Sequence, residues 1–350
     1  MAIFQSLVKK EMLHIVRDSR TMVITLMMPM VLLLLFGFAI STEVNDVRVV
    51  AFVDRNTDLS REIIERMRAN NYFTFQGLAT PGDVDSLLRC GKTDAALFIR
   101  TDNGIISLQA VVDATNPINA QAATAYLQSI VNTRTQHQPV LTYTLYNPQM
   151  KSAYNFVPGI LGMIFILICA IMTSVSIVRE KETGTMNLLL VSPISPSTII
   201  IGKLVPYFLL SCVILTAMLA MSYTILGLPT SASIISVVIV SLIYIILSLS
   251  IGLLVSTLVY TQLAALIISA VMFMLPVIML SGMIFPIDNM PLVLQGLSNI
   301  IPARWYIEAM RKLMIQQLDF RNIAVEATVL ISMTAFILVL AIRKFTLSSK

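Results

Sequence analysis

Long apolar runs, separated by short polar stretches, set the pattern of this chain. A helix needs about 20 apolar residues to cross the hydrocarbon core of a membrane, and most of these runs reach that length. The longest run, 204–287, is interrupted by turn-forming residues at 227–231 and by polar residues at 260–262. The pattern therefore predicts six membrane-spanning helices, near residues 21–42, 152–178, 204–226, 233–259, 263–284 and 323–342.

Composition agrees with a membrane protein, because 57% of the residues are hydrophobic, 12% are charged and the mean hydropathy is +0.83. The predicted spans carry no acidic, basic or histidine side chain in their interiors; Glu326 lies near the start of the last span, and we expect it at the headgroup level. Ion-coupled transporters usually place an ionisable group near the midplane. Any energy that drives this protein must therefore come from elsewhere.

Basic residues gather beside the span ends on one side of the membrane, which by the positive-inside rule places both termini in the cytoplasm. The net charge of +5 is then a signal of orientation and gives no support to a nucleic-acid partner. Residues 1–20 carry apolar side chains at helical spacing, so we expect a cytoplasmic amphipathic elbow helix before the first span at 21–42. The bases are Lys9, Lys10, Arg17, Arg20, Arg179, Lys181, Lys203, Arg343, Lys344 and Lys350.

Residues 43–154 lie on the other side of the membrane and alternate strand-like with helix-like segments. The segment is long enough for a core of its own, so we predict a small extracytoplasmic α/β domain between the first two spans. Asn116 and Pro117 are typical of a helix start and predict a helix to about Thr133. The predicted strand-like segments are 47–53, 72–75, 95–99 and 105–112, and the other predicted helices are 59–70 and 83–89.

Enzyme chemistry has little support in this sequence. Residues 86–93 end like a phosphate-binding loop but lack its leading glycine, and Gly202-Lys203 lacks both the upstream glycine and the following hydroxyl residue. The two histidines, His14 and His137, fall on opposite sides of the predicted membrane, and no cluster has metal-ligand spacing. We therefore expect no catalytic residues, no bound cofactor and no metal in this chain.

The densest charge in the chain begins the stretch 179–203, REKETGTMNLLLVSPISPSTIIIGK, between the second and third spans. Residues 179–182 can form a helical turn, Gly184 breaks it, and the apolar stripe 186–191 precedes a corner at Pro193 and Pro196. Such a segment could bind in a groove of a soluble cytoplasmic partner and transmit a movement of that partner to the spans on either side. The alternative is a solvated charge cluster that only satisfies the positive-inside rule.

Before the last span, residues 285–311 are divided into short segments by Pro286, Pro291 and Pro302. Trp305 and Tyr306 suit the aromatic belt at a membrane interface, so membrane anchoring is one interpretation. An outer lid over a pathway is the other.

Three features of the chain resemble the permease subunits of ABC-2 type ATP-binding-cassette transporters. The pattern R-E-K-E-T-G-T-x-x-x-L-L-x-x-P from Arg179, followed by I-x-x-G-K-x-x-P-Y from Ile199, resembles their signature. The segments 280–286, 290–291 and 301–302 resemble their re-entrant helices, and the domain at 43–154 resembles their large extracytoplasmic domain. The likeness covers nearly the whole chain and is greatest to bacterial multidrug-type permeases.

The resemblance implies an α-helical polytopic membrane protein with six transmembrane helices in the ABC-2 exporter arrangement, the last five within 155–350. It implies a permease subunit that exports a hydrophobic or amphipathic substrate, such as a drug, a lipid or a lipid-linked compound, across the bacterial inner membrane. The expected partners are a second copy or a sibling permease, a cytoplasmic ATPase subunit that binds the ATP, and a periplasmic membrane-fusion protein. The alternative is a non-transporting membrane scaffold or sensor whose outer domain binds a ligand or partner.

The same resemblance assigns roles to residues. It implies that Glu180 and Glu182 contact the ATPase, that Arg179 orients them and that Gly184 is a hinge. The predicted ATPase-coupling residues are Arg179, Glu180, Lys181, Glu182, Gly184, Thr185 and Pro193. The predicted outer re-entrant lid consists of Pro286, Met290, Pro291, Pro302 and Tyr306.

Overall fold

The computed structural model of the chain describes residues 2–39, 47–70, 72–90, 92–102, 105–112, 123–128, 130, 152–186, 195–231, 233–285, 287 and 290–348. The chain forms two compact units. A helical unit comprises residues 1–40 and 151–350, and an α/β unit comprises residues 41–150.

The helical unit begins with two helices, α1 (Ala2–Arg17) and α2 (Ser19–Ala39), whose axes meet at 70°. Leu7, Glu11 and Ile15, spaced four residues apart, form the buried stripe of α1. Lys10 and His14 lie on its exposed side. The amphipathic pattern expected for residues 1–20 is therefore present, with a carboxylate inside the buried stripe.

Five further helices of the described chain are long and apolar enough to cross a membrane, and the bent pair α1–α2 would make a sixth span. The protein is thus a multi-pass helical membrane protein, as the sequence predicts. The five are α5 (Ser152–Glu182), α6 (Pro196–Thr224), α7 (Ile234–Ser256), α8 (Gln262–Leu280) and α11 (Ala324–Ser348).

Helix α5 lies at the centre of the helical unit, and its closest neighbour is α7. A Cβ on Gly252 of α7 would come within 2.7 Å of the Ala170 carbonyl oxygen and 2.8 Å of Thr173 Cβ, so only glycine permits this approach. By contrast, most of α8 and α11 faces away from the core. These exposed apolar faces are available to lipid or to another subunit.

The connection from α8 to α11 consists of short helical segments. Pro291 directly precedes α9 (Leu292–Ser298), and Pro302 is the first residue of α10 (Pro302–Met310). A π-helical turn, Arg311–Ile315, continues α10, and a 3-10 turn, Phe320–Ile323, precedes α11. Pro286 lies outside the described residues.

The α/β unit is built on a four-stranded sheet with the order β2-β1-β3-β4. β1 pairs in parallel with β2 and β3, and β4 is antiparallel to β3. The strands are β1 (Val47–Val53), β2 (Phe73–Leu78), β3 (Ala95–Asp102) and β4 (Ile105–Val112), and the helices are α3 (Asp58–Ala69) and α4 (Pro81–Arg89).

Both faces of this sheet are covered, because neighbouring residues of β1 point in opposite directions. Val49 packs in one core with Met67 of α3, and Val50 packs in the other with Val84 of α4. Residues 123–128 are helical, within the predicted helix from Asn116, whose start lies outside the described residues.

Candidate coupling site at the α1 end of the helical unit

Four charged side chains from three helices meet where α1 packs on the bundle, and we call Lys10, Glu11, Glu180 and Lys203 the charge cluster. Lys203 Nζ lies 3.2 Å from Glu11 Oε1 and 2.8 Å from Glu180 Oε2. Lys10 Nζ lies 3.2 Å from Glu180 Oε1 and 3.7 Å from Glu11 Oε1. The cluster therefore joins α1, α5 and α6 with two positive and two negative charges.

The charge cluster is important for stability because three of its four residues are buried. Lys203 is 2% exposed, Glu11 4% and Glu180 9%. Removing ions from water is costly, and the cost is met only when each buried charge keeps its partner. Loss of one partner from a buried pair costs roughly 3–5 kcal/mol, so the cluster constrains how α1 lies against α5 and α6.

Gly202, beside Lys203, explains how α1 comes this close to α6. A Cβ at position 202 would lie 2.4 Å from Leu7 Cδ2 of α1. The Gly202-Lys203 pair therefore has two local functions: glycine makes room for α1, and lysine pairs with its Glu11. Neither requires a nucleotide, which agrees with the incomplete phosphate-loop pattern at this position.

The last turn of α5 also holds the connection between α7 and α8. Lys181 Nζ donates a hydrogen bond of 2.5 Å to the Ser256 carbonyl oxygen. Glu182 Oε2 accepts hydrogen bonds from the Gln262 backbone nitrogen at 3.1 Å and from its side-chain Nε2 at 2.8 Å. A carboxylate at this place satisfies an orphan amide and complements the positive end of the α8 dipole. Consecutive residues of α5 thus contact four other helices.

The exposed part of the predicted coupling segment begins with Arg179 and continues through residues 182–185. Gly184 has φ +75° and donates its backbone N–H to the Lys181 carbonyl at 3.2 Å, an arrangement typical of a glycine that ends a helix. Thr185 Oγ1 donates to the Glu180 carbonyl at 3.3 Å. Met186 then enters a buried apolar group with Ile200 and Leu253, while Pro193 lies outside the described residues.

Sequence reasoning identified Glu180 but missed its partners. Lys10 and Lys203 count among the bases that indicate orientation, and no local pattern connects either of them, or Glu11, with Glu180. The spacing Leu7–Glu11–Ile15 was an available signal, because it places the carboxylate on the apolar side of α1.

At the opposite end of the helical unit, the predicted lid residue Tyr306 is fully buried. Its ring stacks on Tyr244 of α7 with centroids 4.1 Å apart, and its hydroxyl shares a 3.0 Å hydrogen bond with Ser241. Tyr244 in turn donates to the Gly162 carbonyl of α5 at 2.9 Å. Membrane anchoring is therefore the wrong interpretation for Tyr306, because an interfacial ring would lie at the surface. Trp305 is partly exposed and donates its Nε1–H to the Asn299 carbonyl.

The π-helical turn after α10 carries two bases that close the outer connection. Arg311 Nη2 donates to the Gly282 carbonyl at 2.7 Å, and Gly282 has φ +80°. Lys312 Nζ lies 2.5 Å from Glu326 Oε1 and 3.4 Å from Glu308 Oε1. The hydrogen bond to Glu326 raises the pKa of Lys312. Glu326 is buried in this ion pair, and its place at the headgroup level stays a prediction.

The other predicted lid residues lie along this connection. Met290 is half-buried and its carbonyl accepts a hydrogen bond from Gln295 Nε2 at 2.9 Å, whereas Pro291 is exposed. Of the lid residues within the described ranges, Tyr306 is the one that enters the core. The same ranges contain no group of three His, Cys, Asp or Glu side chains that could hold a metal ion.

The helical unit is that of a multi-pass membrane protein, with a buried charge cluster at one end. Residues 19–343 match the model of a family described as "ABC-2 family transporter protein". The chain therefore belongs to the ABC-2 transporter family.

Two relatives from Escherichia coli strain K12 match nearly their whole length. The probable multidrug ABC transporter permease YbhS is 28% identical over 89% of this chain and 88% of its own. The probable multidrug ABC transporter permease YbhR is 29% identical over 89% of each chain. The inner membrane transport permease YhhJ of the same strain is 25% identical over 68% of this chain and 67% of its own.

Family membership implies an ATPase partner and dimerisation in general. A permease of this kind carries out transport and is not itself an enzyme. The comparisons thus favour a permease component of an ABC exporter over the membrane scaffold or sensor.

Proposed function

We propose that this chain is the permease subunit of an ATP-driven exporter in the bacterial cytoplasmic membrane. Two copies, or one copy and a sibling permease, form the pathway, and a separate cytoplasmic subunit hydrolyses ATP. Both termini and the charge cluster lie on the cytoplasmic side, and the α/β unit lies outside, where a membrane-fusion protein joins the assembly. The substrate is a hydrophobic or amphipathic molecule, which the names of two relatives as probable multidrug permeases support.

The charge cluster is the observation that carries this proposal. Glu180 stands at the beginning of the segment 179–203 and Lys203 at its end, and the two side chains form a buried ion pair of 2.8 Å. The ion pair joins the two ends of the segment to each other, where α5 ends and within the first turns of α6. A force that the ATPase exerts on the exposed part of the segment would therefore be transmitted to α5 and α6 together. It would also be transmitted to α1, because Glu11 of α1 pairs with Lys203.

Some of the predicted coupling residues are buried and others are exposed, and this difference assigns them different roles. Glu180 acts within the chain, as the link between α1, α5 and α6. Glu182, Gly184 and Thr185 are exposed and form the surface that contacts the ATPase, and Arg179, also exposed, precedes them in the chain as the orienting base. Contact at Glu182 also reaches α8 through Gln262, so the ATPase acts on the α7–α8 connection as well.

The test measures recruitment and stimulation of the ATP-binding subunit encoded beside this chain, co-purified with it in lipid. Glu182→Lys reverses the charge of the exposed contact, and Glu65→Lys makes the same change on α3 of the α/β unit. We expect Glu182→Lys to abolish coupling of ATP hydrolysis to substrate, and Glu65→Lys to leave it intact.

Recruitment of the ATPase, with loss of coupling in Glu182→Lys alone, would support the proposal. If no ATPase associates with the native chain, the exporter is rejected and the scaffold becomes the better account. If the ATPase associates and Glu182→Lys couples normally, the segment is only a signal of orientation.

A further inference from the structure

A cavity of about 770 Å³ lies beside the charge cluster, between α1, α2, α5 and α8. One side of it is apolar and is formed by Met28 of α2, Ile168, Ile171 and Met172 of α5, and Leu266 of α8. Lys10, His14 and Arg179 stand at its polar end. Its volume is within the range of about 300–1,000 Å³ that is usual for ligand sites.

A basic groove of about 690 Å³ adjoins this cavity and shares Lys10, His14 and Arg179 with it. Lys9 and Arg17 extend the positive charge along α1, and Asp18 is the acid in the lining. The groove and the cavity therefore form one site, which is cationic near α1 and apolar along α2, α5 and α8.

The two other acids of the cavity do not cancel this charge. Glu11 and Glu180 are already paired with the ammonium groups of Lys203 and Lys10. Among the described residues, no acid forms an ion pair with Arg179 or with the His14 side chain. The opening thus offers a guanidinium and an imidazole that are not engaged by carboxylates within the described ranges.

We propose that this site binds an anionic phospholipid from the membrane leaflet at the α1 end. The phosphate lies against Arg179, His14 and Lys10. A guanidinium pairs with phosphate in a bidentate manner, and the interfacial helix α1 holds Lys10 and His14 at the headgroup level, beside Arg179 in the last turn of α5. One acyl chain enters the apolar cavity between α2, α5 and α8. The inference does not depend on the exporter function, since it concerns binding alone.

Binding can be measured by native mass spectrometry of the detergent-solubilised full chain titrated with phosphatidylglycerol or with phosphatidylcholine. We expect phosphatidylglycerol to bind preferentially. The variant His14→Gln/Arg179→Gln removes two headgroup contacts and should weaken phosphatidylglycerol binding roughly tenfold. Arg343→Gln/Lys344→Gln removes two exposed bases of α11 that line neither the cavity nor the groove, and it should leave binding unchanged.

The acyl-chain part of the proposal has its own matched pair of variants. Met28→Trp places a large ring in the cavity, whereas Met27→Trp makes the same change one position earlier, where the side chain is also exposed but does not line the cavity. Met28→Trp should lower phosphatidylglycerol binding, and Met27→Trp should not. Both positions are exposed, so neither variant disturbs the core.

Three results would overturn the proposal. Equal binding of the two lipids would remove the role of the bases. Displacement of phosphatidylglycerol by inorganic phosphate alone would show a simple anion site with no acyl-chain component. Loss of ATPase recruitment in His14→Gln/Arg179→Gln, with lipid binding unchanged, would show that the groove is a protein-docking surface instead.

Discussion

The two ends of the helical unit are held together by different chemistry. At the α1 end, four charged side chains join α1, α5 and α6. At the opposite end, the stacked rings of Tyr244 and Tyr306 and their hydrogen bonds join α5, α7 and α10. Loss of a charge leaves its partner uncompensated in a dry environment, whereas loss of a ring leaves a cavity.

This difference suits the two ends to different functions. Lys203 lies within 3.2 Å of two carboxylates, and Glu180 lies within 3.2 Å of two ammonium groups. If α1 moves slightly, each of these charges can therefore lose one partner and keep the other. A stacked ring pair has no such alternatives, because its energy depends on close packing. We therefore expect the α1 end to be the movable joint and the opposite end to be the rigid one.

The largest effect is expected from Lys203→Met, which keeps the length of the side chain and leaves two buried carboxylates with Lys10 alone. The free energy of unfolding should fall by roughly 3–5 kcal/mol, as measured by chemical denaturation in lipid or detergent. Lys344→Met, an exposed lysine of α11, is the control and should change little.

A second variant separates charge imbalance from loss of packing. Glu11→Gln/Lys203→Met leaves Lys10 and Glu180 as a balanced pair at 3.2 Å. We expect it to regain part of the stability that Lys203→Met loses. If it is as unstable as the sum of its two single variants, the cluster does not act as a balanced group and the comparison between the two ends fails.

Truncation of Tyr306 should lower the free energy of unfolding somewhat less than Lys203→Met does. Tyr306→Leu removes the stacked ring and the hydroxyl, and should destabilise the chain by about 2–3 kcal/mol, below the value for full aromatic truncation to alanine. Tyr306→Phe keeps the ring and should lose only about 1 kcal/mol with the hydrogen bond to Ser241. Thermal unfolding in the same lipid would distinguish the two variants.

Trp305→Leu tests whether burial decides the outcome, since Trp305 is the adjacent aromatic but is partly exposed. It should destabilise less than Tyr306→Leu. Equal effects at the two positions would restore the interfacial interpretation for both rings.

Close approach of α1 to α6 predicts a smaller effect at Gly202. Gly202→Ala would bring its Cβ within 2.4 Å of Leu7 Cδ2, and the side chain or α1 must shift, at about 1–3 kcal/mol. Gly296→Ala in α9 meets nothing within 4 Å and serves as the control. The measurement is ATPase stimulation together with unfolding. Normal coupling in a stable Gly202→Ala variant would argue against α1 as part of the joint.

Much of the fold could be predicted because it follows from local periodicity. Uncharged runs of span length and the alternating pattern of 47–53 are read directly from neighbouring residues. The predicted helix 59–70 appears as α3, where Thr57 and Ser60 form the capping box that starts it.

The charge cluster could be predicted only in part, because its members are far apart in the sequence. Glu11 and Lys203 are separated by 192 positions, so no local pattern connects them. A charged residue on an interfacial helix is normally solvated, and the assumption fails here because Gly202 lets α1 approach closely enough to bury Glu11. For Tyr306 the sequence leaves membrane anchoring and an outer lid open, since aromatic composition does not distinguish a ring at an interface from one stacked in a core.

The smallest effect is expected outside the helical unit, in an ion pair that is partly exposed. In the α/β unit, Arg48 Nη2 lies 2.8 Å from Asp94 Oδ1, and its hydrogen bonds lower the pKa of Asp94. A lowered folded-state pKa contributes stability above the unfolded value of about 3.9, and this contribution is lost as the pH falls through the folded value.

Asp94→Asn should therefore cost about 1 kcal/mol or less at neutral pH, and the difference from the native chain should shrink as the pH falls below about 4. This difference in stability can be measured by amide hydrogen exchange of the β1 and β3 peptides, compared between the variant and the native chain at each pH. Asp54→Asn, an exposed acid after β1, is the control. If Asp94→Asn lowered the free energy of unfolding as much as Lys203→Met does, burial would not explain why the charge cluster is more important for stability than a surface ion pair.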